Sequence, residues 1–281
     1  MVKFKEETIK EYKSIIGAEI QLNHWGKTAL INKAEELLDT TSQIMEVALS
    51  STILRSYNNT YGLTNDTRAY ESVGSHTNLV STILDRALIY EYGPDFKETV
   101  EGFNYREIME AARRHDLPEN IIGDIPDNGT RDDAAKAETE HYYLQEFAGL
   151  TSKNEWLFER NVARILQGME EKSTRIGRSI YMADKTSAII TTLVEDYRGN
   201  SPLMSVNNPH ASQNDKDNMS LCDYCKESQC KASEMWTIAF FKTRNMIQYD
   251  ETGFYTAIII LATLIANGKW YNWREKYYQA T

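Results

Sequence analysis

Residues Arg68–Leu88, RAYESVGSHTNLVSTILDRAL, carry the pattern that decides the fold class. The apolar residues of this stretch recur at steps of three, four and seven: Val80, Ile83, Leu84, Ala87 and Leu88. An α-helix brings these positions onto one face. Ser72–Ser75, ahead of them, is rich in residues that cap helix N-termini. The stretch therefore predicts an amphipathic helix that buries one side in a core.

Helical periodicity extends through most of the chain. Before this stretch it is carried by four residues: Leu37, Ile44, Val47 and Ala48. After it, three residues predict a helix that leads into His115: Ile108, Ala111 and Ala112. Further helices are predicted over these approximate ranges: 131–148, 154–170, 175–197, 231–247 and 253–280. Because the alternation typical of β-strands is nearly absent, we predict an all-α fold.

Two polar stretches interrupt the helical pattern, Asn58–Asp66 and Gly199–Asn218, and their Asn, Asp and Gly residues favour turns. They divide the chain into N-terminal helices at 1–54, a core at 55–198, and a polar loop with a C-terminal helical extension at 199–281. A separate C-terminal hairpin and a single domain with an insertion both fit this pattern. We interpret the three parts as one compact unit.

The composition excludes several classes of protein. Hydrophobic residues make up 41% of the 281 residues and charged residues 26%, which is typical of a soluble globular protein and not of a disordered one. The formal net charge of −10 disfavours a broad contact with duplex nucleic acid. A small phosphorylated ligand is still compatible with this charge, because a metal ion or an arginine can reverse the local field.

The cysteines are confined to one segment, at Cys222, Cys225 and Cys230. An odd, clustered set does not form the disulfide framework of a secreted protein and indicates a reducing compartment. A structural zinc site would use His210 as its fourth ligand, but a second tight pair of ligands is missing. We therefore interpret the three cysteines as free thiols on a surface helix.

No segment of the sequence has the pattern of a membrane anchor. The first residues, MVKFKEETIKEYKS, lack the apolar core of a signal peptide. The most apolar window, Phe254–Ala266, is shorter than the roughly 20 residues that a helix needs to span a bilayer. We expect a cytoplasmic protein that does not bind membranes. The aromatic tail Trp270–Tyr278 fits either internal helix packing or a homodimer contact.

Four residues form the set that can carry chemistry: His76, the adjacent pair His115 and Asp116, and Asp184. Only the tertiary fold can bring them together, since 39 residues separate the two histidines and 68 separate the two aspartates. Two imidazoles and two carboxylates suit a divalent ion such as Mn²⁺, Co²⁺, Fe²⁺, Zn²⁺ or Mg²⁺. In a chain with five histidines, chance proximity to acidic residues explains the same pattern, so a structural role stays open at this point.

The sequence around these residues resembles the HD-domain metal-dependent phosphohydrolases. Arg68–Leu88 is similar to their first-histidine helix, and Ile180–Ile189, IYMADKTSAI, to their distal aspartate helix. Ala111–Asp127, AARRHDLPENIIGDIPD, resembles the HD–x–x–E–x–x–x–G–D motif of the bacterial 5′-deoxynucleotidase branch and its eukaryotic HD-domain relatives. The resemblance covers about 55–195 and implies an all-helical HD core with additional N-terminal and C-terminal helices.

The resemblance also implies roles for individual residues. The metal ligands would be His76, His115, Asp116 and Asp184. Glu119 would position or activate the attacking water, and Asp124 would act in catalysis or contact the leaving group. Arg55 would bind the substrate phosphate. Lys185 is a further phosphate-binding candidate, although direct succession to Asp184 on a regular helix predicts that it points elsewhere.

These assignments lead to one functional hypothesis. Members with two metals need extra histidines, and His141 is better interpreted as a structural residue, so we expect one divalent ion per chain. We predict an HD-type phosphoric monoester hydrolase that acts on nucleotides and releases phosphate from deoxynucleoside or ribonucleoside 5′-monophosphates. The alternatives are a dNTP triphosphohydrolase, which would use the same four ligands, and a regulatory nucleotide-binding protein without turnover.

Overall fold

The computed structural model describes four long helices and the turns beside them. The described residues are 44, 73–93, 99–116, 138, 142, 157–197, 203, 204, 207, 230, 231, 254, 255, 257–259, 261 and 262. The helices are α1 (Val73–Tyr92), α2 (Tyr105–Arg114), α3 (Leu157–Glu170) and α4 (Arg175–Tyr197). Their dominance confirms the predicted all-α fold. The described residues include no apolar helix of the length that a membrane span requires.

The described residues fall into two compact units. The first contains α1, α2, α3 and α4 up to Ser187, and the second contains Ile44 and the described residues from Ala188 onward. The predicted boundaries after residues 54 and 198 stay a prediction, because the residues next to them lie outside the described part of the chain.

Helix α1 buries the face that the periodicity predicts. Val80, Ile83, Leu84 and Leu88 are at most 2% exposed, whereas Ala87 is only half-buried. Helix α2 contacts both α1 and α3 and contributes buried residues to the same unit: Ile108, Met109, Ala111 and Ala112. The hydrophobic effect on these faces is therefore what holds the three helices together.

A capping box fixes the start of α2 and ties it to α3. The Asn104 side chain accepts a hydrogen bond from the Glu107 amide at 3.0 Å, and Glu107 Oε2 accepts one from the Asn104 amide at 2.8 Å. Glu107 is buried, and its Oε1 accepts a hydrogen bond from Asn161 Nδ2 of α3 at 2.9 Å. At the other end of α2, Arg114 binds Glu159 of α3 at 2.7 Å. Both ends of α2 are thus fixed relative to α3.

The start of α4 is capped by a carboxylate from another part of the chain. Val100 and Phe103 form an isolated β-bridge around a tight turn, in which Glu101 and Gly102 have φ angles of 53° and 85°. The turn directs Glu101 to the backbone amides of Arg175 and Ile176, at 3.1 and 2.9 Å. A carboxylate at this position satisfies free N–H groups and matches the positive end of the helix dipole.

Helices α3 and α4 approach each other at two glycines. A Cβ atom built on Gly177 would lie 2.3 Å from the backbone of Gly168. Contact this close is open only to residues without a side chain. Asp184 follows Gly177 by seven residues, which is two helical turns, so this contact also sets where Asp184 lies.

The sequence predictions outside these four helices have mixed outcomes. Phe254, Tyr255 and several residues up to Ala262 are helical and buried, as predicted for 253–280, and Glu138 and Tyr142 are helical within 131–148. The predicted surface helix at the cysteines is wrong for Cys230, because Cys230–Lys231 is a β-strand paired with Leu203–Met204. Cys222, Cys225, His210 and His141 lie outside the described residues.

We predict that Gly177→Ala lowers the stability of the protein. On an open helix surface this change is stabilising, but here the new methyl group meets the backbone of Gly168, and overpacking of this kind costs about 1–3 kcal/mol. The measurement is thermal unfolding, with Gln167→Ala on the exposed face of α3 as the control. An unfolding temperature at or above that of the wild type would contradict the prediction.

Candidate metal centre

Three helices bring four polar side chains to one buried point. His76 lies in the first turn of α1, His115 caps the end of α2 with Asp116 next to it, and Asp184 lies midway along α4. His76 and His115 are 0% and 8% exposed. The ring centroids of the two histidines are 5.3 Å apart. The fold therefore unites the residues that the sequence had placed far apart.

The nitrogen and oxygen atoms of this cluster are close to one another. His76 Nε2 lies 3.2 Å from Asp116 Oδ2 and 3.2 Å from Asp184 Oδ1. His115 Nε2 lies 3.2 Å from Asp116 Oδ1 and 3.9 Å from Asp184 Oδ1. Both imidazoles thus direct the same ring nitrogen, Nε2, at the carboxylates.

Hydrogen bonds on the far side of each ring determine which nitrogen carries the proton. His115 Nδ1 donates to the Ala112 carbonyl at 2.7 Å. Ser187 Oγ donates to the Asp184 carbonyl at 2.7 Å and lies 3.2 Å from His76 Nδ1. Since the hydroxyl hydrogen is used for the carbonyl, Ser187 accepts from His76 Nδ1–H. Both Nε2 atoms therefore present a lone pair to the cluster.

This donor set fits a divalent metal ion. His76, His115 and Asp116 each offer one ligand atom, and these atoms lie within 4.8 Å of one another. Among the described residues, buried His115 Nε2 has no hydrogen-bond partner, which is costly for a polar atom unless a cation binds there. Imidazole nitrogens with carboxylate oxygens suit ions of the Mn²⁺ to Zn²⁺ series.

The carboxyl group of Asp184 is held in its ionised form. Burial would raise its pKa, but the adjacent Lys185 ammonium keeps it well below the ordinary value. Asp184 Oδ2 lies 2.5 Å from Lys185 Nζ, so its two oxygens face different partners. An ionised carboxylate at neutral pH is the form that binds a metal ion.

The structure tests the position of some predicted site residues and not of others. It brings together the four predicted metal ligands, which are His76, His115, Asp116 and Asp184. The expectation that Lys185 points away from Asp184 is wrong, because its flexible stem folds back to the carboxylate. Three further predicted residues lie outside the described part of the chain: Arg55, Glu119 and Asp124.

Sequence reasoning missed Ser187 as a partner of His76. Its hydroxyl is 0% exposed and contacts both the histidine ring and the backbone of Asp184. The available signal was its spacing, because a residue three positions after Asp184 lies on the same face of a helix.

We predict that Ser187→Ala weakens divalent metal binding by roughly 10- to 100-fold, the usual effect of losing a hydrogen bond to a ligating histidine. The change frees His76 Nδ1 and allows the proton to move to Nε2. Isothermal titration with Mn²⁺ measures it. Ser81→Ala is the matched control, because Ser81 is also buried and bonds a carbonyl of its own helix but touches no histidine in the described structure. Equal affinities in the two variants would contradict the prediction.

Comparison with known proteins identifies the family. No curated protein and no solved structure matches the chain. The family model described as "HD domain" matches residues 62–238, more than half of the sequence. This range contains all four residues of the cluster and the whole motif at Ala111–Asp127. The match supports the HD superfamily without distinguishing the 5′-deoxynucleotidase branch. With a buried His–His–Asp group that can hold a divalent ion at its centre, the chain belongs to the HD-domain family.

Proposed function

We propose that the protein releases inorganic phosphate from nucleoside 5′-monophosphates. Membership of the HD family indicates a metal-dependent phosphohydrolase in general. The observation that carries the proposal is the convergence of two Nε2 atoms and two carboxylates at 3.2 Å in a buried site. The nucleotide class rests on the likeness of Ala111–Asp127 to the 5′-deoxynucleotidase motif.

The metal would be held by His76, His115, Asp116 and Asp184. When bound, a divalent ion polarises a phosphoryl oxygen and lowers the pKa of a water molecule. The protein's own residues supply orientation. Ala112 and Ser187 hold the protons on Nδ1 of the two rings, and the Lys185 ammonium keeps the Asp184 carboxylate ionised. Because phosphoryl transfer needs mainly positioning and charge neutralisation, this rigid arrangement suits the reaction.

The test is a released-product assay with purified protein and a panel of nucleotides. Each nucleoside mono-, di- and triphosphate is incubated with Mn²⁺, Co²⁺ or Mg²⁺, and the phosphate product is identified. Free phosphate from monophosphates supports the proposal, provided that Asp116→Asn abolishes it. Inorganic triphosphate would instead identify a dNTP triphosphohydrolase. Tight nucleotide binding without any product would identify a regulatory protein.

We predict that Glu119 acts in catalysis and not in metal retention. Glu119 follows Asp116 by three residues, and the proposed ligand set is complete without it. Glu119→Gln keeps the size and hydrogen bonding of the side chain but removes the base, so kcat should fall by roughly 10²- to 10⁴-fold. Metal content by elemental analysis should stay near that of the wild type, in contrast to Asp116→Asn. A variant with full turnover would remove Glu119 from the mechanism.

Arg55 and Asp124 belong to the same proposal. Arg55 would contact the substrate phosphate, for which a guanidinium is well suited because it can donate two parallel hydrogen bonds. Asp124 would act near the leaving group, in the manner that the resemblance implies. In the panel assay, an Arg55→Met variant should lose affinity for the phosphorylated substrate, whereas its metal affinity should be retained.

A further inference from the structure

The two oxygens of Asp184 have opposite surroundings. Oδ1 faces the histidines, at 3.2 Å from His76 Nε2 and 3.9 Å from His115 Nε2. Oδ2 faces Lys185 Nζ at 2.5 Å. The Asp184 side chain is 13% exposed and that of Lys185 is 30% exposed, so this ion pair is partly shielded from water. One oxygen is therefore available to the cluster while the other is occupied by an ammonium group.

The contact between these neighbours requires support, because consecutive side chains on a helix do not face each other. The Tyr181 ring, one turn earlier on α4, lies 5.3 Å from Lys185 Nζ and provides a cation–π contact on the way to Asp184. Lys172, in the turn after α3, places its own Nζ 4.5 Å from the same ring. Of these two ammonium groups, Lys185 is the one paired with Asp184 in the described structure.

Lys185 keeps Asp184 ionised, but its positive charge opposes the binding of a cation to that carboxylate. An ammonium group on one oxygen of a carboxylate repels a cation that binds the other oxygen, and it lowers the donor strength of the carboxylate. For the ionised carboxylate, the neighbouring ammonium group therefore lowers metal affinity and needs a reason beyond ionisation. Control over how many oxygens the carboxylate offers is such a reason, since Asp can bind an ion through one oxygen or through both.

We propose that Lys185 is a positioning residue that restricts Asp184 to metal binding through Oδ1 alone. This inference rests on the proposed function, because it needs a metal at the cluster. By holding Oδ2, Lys185 leaves one coordination position for water or a substrate oxygen, as a hydrolytic metal site requires. It replaces the sequence prediction that Lys185 binds the substrate phosphate.

The experiment compares Lys185→Met, Lys185→Arg and Lys172→Met with the wild type. Each protein is titrated with CoCl₂ while its visible absorption is recorded, and kcat and KM are measured on the best nucleotide of the panel. Lys172→Met is the matched control, because it removes an ammonium group from the same Tyr181 ring without touching Asp184 in the described structure.

For Lys185→Met we expect Co²⁺ binding as tight as in the wild type or tighter. The d–d absorption of the bound Co²⁺ should be weaker than in the wild type, because a second Asp184 oxygen would raise the coordination number of the ion. We expect kcat to fall by roughly 10- to 100-fold, with KM within about threefold of the wild type. Lys185→Arg should restore the wild-type spectrum, since a guanidinium also holds a carboxylate oxygen. Lys172→Met should match the wild type in all three measurements.

Other results overturn the inference. A raised KM with unchanged kcat would make Lys185 a phosphate ligand, and loss of Co²⁺ binding with a lower unfolding temperature would make its role structural. An unchanged spectrum would refute the inference even if no nucleotide is hydrolysed, because the spectral comparison needs no substrate. If the wild type binds no Co²⁺ at all, the proposed function fails together with the inference. If the wild type binds Co²⁺ and turns over nucleotides while Lys185→Met behaves identically, the inference fails alone.

Discussion

The constraint on which the first unit depends is the enforced proximity of groups that repel one another. Two imidazole lone pairs and two carboxylates meet within 3.2–3.9 Å in a buried site. In the interior, such groups interact far more strongly than in water, so they stay together only when the fold resists their separation or a cation joins them. The packing around the cluster resists the separation of these groups, and the chemistry of the donor atoms favours a bound cation.

The resistance comes from α2 and α4, because side chains fix the ends of these two helices. The capping box at Asn104 and Glu107 fixes α2, whose C-terminal cap is His115, and Glu107 also bonds Asn161 of α3. The Glu101 carboxylate and the Gly168–Gly177 contact fix α4, which carries Asp184. A repulsive site needs this rigidity, because a displacement of about 1 Å in a ligand can cost a large part of the activity.

The sequence predicted the helices better than it predicted the contacts. The periodicity at Val80–Leu88 sufficed for α1, because burial of one face is a local property of the pattern. The proximity of His76, His115 and Asp184 could be predicted only from the resemblance to HD-domain proteins, since no local rule relates such distant positions. The direction of the Lys185 side chain was predicted wrongly, because it was inferred from the helix backbone. A side chain with four rotatable bonds can turn back towards its neighbour. At Cys230, pairing with Met204 prevailed over local helical preference.

The charge of the site determines how this acidic protein would bind the phosphorylated substrate that we propose. The chain carries a formal charge of −10, and Asp116, Asp184 and Lys185 together leave a local charge of −1 around the histidines. A divalent ion at this point would change that local charge to +1. Because a phosphate group is repelled by the first state and attracted by the second, the metal-free protein should bind the proposed nucleotide substrates poorly. Electrostatics therefore predicts that the metal binds before the substrate. The expected result is a nucleotide affinity that rises with the metal concentration.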